Sequence, residues 1–239
     1  MADKRRRRDE VRRARLEQER RARARKNRIA ALAAGGAIVA LVVALIVVLA
    51  GSGSGFRVQY VSSSGPDPST LKGILTTSPP WPTNTKDVPA RITAQSLPPL
   101  NAMEGRVVHI HQHIDIYIHG QHITVPAQIG IVVSQSSVLF SPIHTHTSDG
   151  IIHVESPEQR DFSLGDFFDV WGVLFTSSCI GANCDTGNER LQVFANGKVV
   201  TGDPRQLKLL EHEEIVVTFG TPGQIPQPYP ASYNFPTYL

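Results

Sequence analysis

The sequence predicts a mainly β protein of the α+β class: an N-terminal transmembrane helix followed by a hairpin-rich antiparallel β domain with one short helix. Three observations predict it. Apolar residues occupy even positions along Val108, Ile110, Ile114, Ile116 and Ile118, the period-2 pattern of a strand with one buried face. X-Gly pairs fall at His119-Gly120, Asp149-Gly150 and Asn196-Gly197, and two-residue hairpin loops need the left-handed dihedrals that glycine adopts readily. Residues 29–50 are a run of 22 with no charge and no proline. A helix of that length spans about 30 Å, the thickness of a bilayer's hydrocarbon core.

The head precedes that span. Residues 1–28 carry 14 Lys/Arg against 5 Asp/Glu, and the remainder carries 10 against 16. A basic head stays on the cytoplasmic side, so the chain is expected to be single-pass in the cell membrane, with residues 51–239 extracytoplasmic. A cleaved signal peptide is the competing reading, with Val48-Leu49-Ala50-Gly51 as its cutting site. The apolar run is longer than the usual signal core of about 7–15 residues, which favours a retained anchor. The head lacks interleaved aromatics, and no nucleic-acid-reading motif follows it, so nucleic acid is not an expected partner. The expected partner is the lipid bilayer, with anionic lipid against the basic head.

Residues 51–103 read as a Gly/Pro-rich linker. Gly51-Ser52-Gly53-Ser54-Gly55 is a flexible joint, and the prolines around Ser78-Pro79-Pro80-Trp81-Pro82 and Leu97-Pro98-Pro99-Leu100 favour extended chain. This stretch either holds the domain off the membrane or wraps its surface, with Trp81 as a pin.

The β domain is expected over 104–220. The first turn pairs Tyr117 with His122 and Asp115 with Thr124. The second pairs His146 with His153 and His144 with Glu155. The third pairs Phe194 with Val199 and Gln192 with Thr201. Ser163 with Asp166 resembles a capping box, opening a helix through Leu164, Phe167, Phe168 and Trp171 that Gly172 ends. Residues 173–175 and 215–219 read as strands, and Asp203-Pro204 as a turn. The tail, 221–239, holds five prolines and three tyrosines and is expected as extended coil on the surface. Cys179 and Cys184 are expected to form a disulfide in an oxidising compartment; the sharper alternative is a pair of soft ligands for Cu(I).

The candidate chemistry lies in the histidines. Eight of the nine fall within residues 109–153, in His109-Ile110-His111-Gln112-His113 and His144-Thr145-His146, with His153 following. Imidazole is the commonest protein metal ligand. Residues two apart on a strand point to one side, about 6.5–7 Å apart, and can lean onto one ion. The expected metal ligands are therefore His109, His111, His113, His144, His146 and His153. Asp115 and Glu155 are expected to orient a ring through its other nitrogen, the usual role of a carboxylate beside a metal-bound histidine. His119, in a turn, and His122 and His212 read as structural or surface residues. A solvated polar face without metal is the bland alternative.

Imidazole-rich sites suit Zn, Cu, Ni or Fe rather than Ca or Mg. Between copper and zinc the sequence does not choose. Three His ligands with an open fourth position also permit an activated water, so a metal-dependent hydrolase or oxidoreductase with Glu155 as acid or base stands as a second reading. His144-Thr145-His146 begins like the cupin metal motif, but Glu155 arrives later than that spacing and the downstream glycine is missing. No nucleophile elbow, P-loop or dinucleotide fingerprint is present.

Several blocks taken together are familiar: His111-Gln112-His113-Ile114-Asp115-Ile116, Val125-Pro126-Ala127-Gln128-Ile129-Gly130-Ile131, and His144 through the segment Asp149-Gly150-Ile151-Ile152-His153-Val154-Glu155-Ser156-Pro157. With Phe162-Ser163-Leu164-Gly165-Asp166 and Asn196-Gly197-Lys198, they resemble a family of uncharacterised bacterial membrane-anchored proteins with a His-rich extracytoplasmic domain. The resemblance covers roughly residues 90–220 and implies the domain limits, not an activity. The functional expectation is a membrane-anchored extracytoplasmic module that binds Cu or Zn, for sequestration or for transfer to a metal-handling partner protein. The third reading is a metal-free surface scaffold domain.

Overall fold

Strand β1, Val108–Ile118, is an inner strand of the seven-stranded sheet. The computed structural model describes residues 56–63, 65–225 and 227–239. The unit Arg57–Leu239 holds every element described below. The expected basic head at 1–28 and the expected span at 29–50 lie outside the described residues. Among the described residues no helix is long and apolar enough to cross a membrane.

Among the described residues the fold is mainly β with two α-helices. One edge of β1 is shared between two antiparallel neighbours. Its first half pairs with β6, Ile151–Ser156, and its last residues with β2, Gln121–Ile123. The other edge takes β11, Glu213–Gly220, in parallel register, with Ile114 opposite Ile215. Outside these lie β5, Ile143–His144, beside β6, and β9, Arg190–Ala195, beside β11, with β10, Lys198–Val199, at the far edge. The sheet is therefore mixed rather than wholly antiparallel. A turn makes a local hairpin, whereas β11 returns to β1 only after some hundred residues, and such a crossover can run either way. Two further hairpins stand apart: β3, Ile131–Val133, with β4, Val138–Phe140, and β7, Cys179–Ile180, with β8, Asn183–Cys184.

Alternation sorts the two sheet faces as expected. Ile114 and Ile116 of β1 are buried in the core together with Ile152, Val154, Ile215 and Val217. The odd positions carry the imidazoles. Helix α2, Leu164–Trp171, supplies Phe167, Phe168 and Trp171 to the core. Its capping box is formed: Ser163 accepts from the Asp166 N–H while Asp166 accepts from the Ser163 N–H. The helix ends at Gly172 in the left-handed conformation, where a Cβ would lie 3.0 Å from the Arg91 guanidinium carbon. That guanidinium is fully buried and donates to the carbonyls of Lys72, Asn84 and Val170, placing a cation at the negative end of the helix dipole.

Two of the three expected turns form as two-residue loops. His119 and Gly120, and Asn196 and Gly197, all have positive φ, and Tyr117 faces His122 while Phe194 faces Val199. The turn at Asp149-Gly150 differs. His144, not His146, faces His153, because Thr145 is drawn away from the hairpin. Its N–H donates to the Ile129 carbonyl, its carbonyl accepts from the Gln128 N–H, and its hydroxyl donates to the Pro126 carbonyl. The slip is two residues, so every side chain keeps its expected face.

Residues 173–175 form only isolated bridges, Leu75 with Val173 and Phe175 with Ile180, rather than a strand. Asp203-Pro204 opens a 3₁₀ turn, Pro204–Gln206. Cys179 and Cys184 are disulfide-bonded across β7 and β8, which sets aside the Cu(I) thiolate alternative. The part of the expected linker that is described wraps the domain instead of spacing it. Trp81 is buried edge-on against Trp171 at 5.9 Å, and helix α1, Val88–Ala94, buries Val88 and Ile92. The tail also lies against the domain, with Tyr229 on Phe194, Tyr233 on His113 and Phe235 on His212.

Candidate metal centre

Strand β6 places His153 and Glu155 on one face, flanked on both sides. The β5 neighbour puts His144 opposite His153. The β1 neighbour puts His111 opposite His153 and His109 opposite Glu155. His146 follows β5 and folds back, its ring centroid 4.5 Å from that of His153. Alternation supplies the face and ladder pairing supplies the convergence.

The best-defined member is His144, which is fully buried. Its Nδ1 lies 2.9 Å from the Ser141 carbonyl oxygen. A carbonyl only accepts, so Nδ1 carries the proton and Nε2 presents its lone pair. That Nε2 lies 3.1 Å from Nε2 of His146. Two nitrogens on one tetrahedral ion, each about 2.0–2.1 Å from it, stand about 3.4 Å apart. Burial first, and the neighbouring imidazoles after it, depress the basicity of His144 to about 4, despite the opposing pull of Glu155. Burial followed by His153 also lowers that of His146. Phe140 walls this side, with its ring 5.6 Å from that of His144.

The Glu155 carboxylate is nearly buried amid imidazoles. Its Oε1 lies 3.2 Å from Nδ1 of His153, 3.5 Å from Nε2 of His109 and 4.0 Å from Nε2 of His111. Burial raises its pKa, but the His153 hydrogen bond and the neighbouring histidines outweigh that, and the carboxyl stays below its ordinary value. An ionised Glu155 accepts, so His153 donates from Nδ1 and turns Nε2 outward as a lone pair. This is the carboxylate–histidine arrangement that orients metal ligands. His111 is driven down to about 4 by burial, then by His153 and His109.

Among the described residues, candidate ligand atoms within 4.8 Å of one another form three groups: His144, His146, His153 and Glu155; His109, His111 and Glu155; and His113, Asp115 and Glu214. Five of the six expected ligands therefore gather around Glu155, and His113 does not. Its Nδ1 meets Glu214 Oε2 at 2.8 Å and its Nε2 donates to the Asp149 carbonyl at 3.0 Å. Both ring nitrogens are engaged and neither offers a lone pair. Burial opposes the charged ring, but Glu214 prevails and the basicity of His113 is raised. Tyr233 stacks over the ring. Asp115, expected to orient a ligand, accepts from His122 at 3.0 Å instead. His119 stands in its turn, 3.6 Å from Glu189.

Sequence reasoning missed Glu104, Glu214, Ser141 and Tyr233. Glu104 lies 3.3 Å from Nε2 of His146, on a segment bound to the end of β6 through Gly105 N–H to the Glu155 carbonyl and Val107 N–H to that of Ser156. A lone acid in an irregular segment leaves no pattern to read. Glu214 follows Glu213 at the start of β11, and only the parallel pairing with β1 brings it to His113. No family model, no curated protein and no solved structure matches this chain.

Proposed function

We propose that the domain binds a transition metal ion, zinc or copper, through His144, His146 and His153, with Glu155 orienting His153. One observation carries this reading: the buried His144, its tautomer set by the Ser141 carbonyl, aims its lone pair at His146 across 3.1 Å. Nitrogen ligands beside a carboxylate suit Zn(II) or Cu(II). One ring of this set is accessible, His146 at 36% side-chain exposure. A buried ligand paired with an accessible one fits an ion that is taken up and passed on. Glu155 is 5% exposed and engaged by His153, which favours an orienting role over that of a base reaching for substrate.

The uncharged residues 29–50 and the basic head support a module anchored in the cell membrane and facing outward. There it sequesters metal or hands it to a metal-handling partner protein. The disulfide between Cys179 and Cys184 supports an oxidising compartment.

The test is metal loading of the full chain in detergent, followed by desalting and elemental analysis. Stoichiometric zinc or copper is expected, with loss of most of it in His144→Ala. A native chain that retains no metal overturns the proposal.

A further inference from the structure

We infer that the cluster takes two ions, and that the second is held by His109, His111 and Glu155. The inference rests on the proposed first ion at His144, His146 and His153, and adds a site on the other side of β6.

Ladder geometry requires the division. Strand β6 runs between β5 and β1, so the column formed by His153 and Glu155 has imidazoles on both flanks. Two nitrogen ligands of one ion stand no more than about 4.2 Å apart, twice the metal–nitrogen distance. Around Glu155 the candidate ligand atoms form two sets, each with its atoms within 4.8 Å of one another. His109 and His111 do not join the set of His144 and His146, and Glu155 alone belongs to both.

A second observation points to a ligand on the β1 side. Nε2 of His111 is buried without a hydrogen-bond partner, on a side chain only 5% exposed. An unmatched buried nitrogen is unfavourable, and natural interiors seldom leave one. It faces Glu155 Oε1 at 4.0 Å, and His109 Nε2 approaches the same oxygen at 3.5 Å. Two imidazole nitrogens thus approach one carboxylate oxygen: His109 already stands at ligand spacing from it, and closing the His111–Glu155 gap from 4.0 Å to about 3.4 Å would complete the set.

Glu155 can serve both ions. A carboxylate offers about four lone-pair positions. One accepts the His153 N–H, which orients that ring for the first ion, and another ligates the second. Two dications at close range repel, and Glu155 and Glu104 supply the negative charge that offsets this. Glu104 stands 3.3 Å from His146 on the first ion's side. The second ion is of the same class, Zn(II) or Cu(II). With His109 half exposed it is the more accessible of the two, and the one expected to exchange first.

The experiment is titration of the full chain with Cu(II), and separately with Zn(II), reading retained metal per chain and the Cu(II) electron paramagnetic resonance signal. Two ions per chain are expected, with the copper signal attenuated by coupling between neighbouring ions. His111→Ala and the surface-exposed His109→Ala should each retain one ion and show an uncoupled copper signal. Glu155→Gln should also fall to one. Circular dichroism checks that each variant is folded, and His109→Ala is the variant least able to disturb the core. One ion in the native chain, lost in His144→Ala and unaffected in His109→Ala and His111→Ala, overturns the second site and leaves the first. Two ions retained in both β1 variants overturns it as well. No ion in any chain overturns both.

Discussion

His113 and Tyr233 lie ring on ring, with centroids 3.7 Å apart and planes 6° from parallel. The tail thereby covers an imidazole whose two nitrogens already donate or share protons, with Glu214 on one side and the Asp149 carbonyl on the other. His113 belongs to the same run of alternate histidines as His109 and His111, yet it stands outside the group around Glu155 and both its nitrogens are hydrogen-bonded elsewhere. Tyr233→Ala should lower stability by about 1 kcal/mol, the usual worth of such a pair, read as a lower urea midpoint. Metal content should not change. His113→Asn should likewise keep its metal while losing stability, because Glu214 would be left buried with a weaker partner. Loss of metal in either variant would place His113 among the ligands.

Stability without metal should depend on pH in two opposing ways. His144 has a pKa near 4 in the fold against an ordinary 6.5. Between those values the unfolded chain binds more protons than the folded one, so its contribution is complete above pH 6.5 and is lost as pH falls toward 4. The magnitude is on the order of 3 kcal/mol, and His111 acts in the same direction. Glu213, fully buried on the core side of β11, is pushed up to about 7 by burial. An acid whose folded pKa is raised binds more protons in the fold, so its contribution is complete below about 4.5 and is lost as pH rises through 7. Urea unfolding of the chelator-treated chain from pH 5 to 8 should therefore show a muted slope. Glu213→Gln should be more stable than the native chain at pH 8, by up to about 3 kcal/mol, with the difference shrinking toward pH 5. Its stability should then fall more steeply with acid. A constant difference across this range would contradict the assignment.

The pair of Arg205 and Asp169 fastens residues 203–207 under helix α2. The contact is bidentate, 2.9 Å and 2.8 Å, with both side chains buried. Arg205→Met should cost about 3–5 kcal/mol, because it strands a buried carboxylate. The double variant with Asp169→Leu should recover much of that loss, since an apolar pair of similar volume can replace a buried ion pair. Chemical denaturation of the two single variants and the double one measures the coupling. Equal losses in the single and double variants would show that the charge pair is not what holds this corner.

Local chemistry was legible where it was self-contained. The alternation along β1 identified its core face, because side-chain direction in a strand depends only on parity. His119-Gly120 and Asn196-Gly197 predicted their hairpins because positive φ at both positions is a property of those residues in that turn. The capping box of Ser163 and Asp166, and Gly172 as the end of the helix, were readable for the same reason. The turn at Asp149-Gly150 was not, because the hydrogen bonds that displace Thr145 come from residues 126–129. The histidine face survived that error, since a two-residue slip conserves parity. The wrapping of residues 57–103 was only half visible: their prolines pointed to extended chain that either spaces or wraps the domain, but nothing local said that Arg91 would be buried against the end of α2.

By itself the sequence determined which residues carry nitrogen lone pairs and which face of each ribbon they occupy, because both follow from residue type and a period of two. Only the tertiary structure decided which of those nitrogens meet. The partners that choose are distant in the chain: Glu214 takes His113 out of the cluster from 101 positions away, and β6 lies between β5 and β1 so that Glu155 stands among histidines from both. A strand pattern specifies direction but not neighbour, and an ion is bound only where neighbours bring their lone pairs to one point.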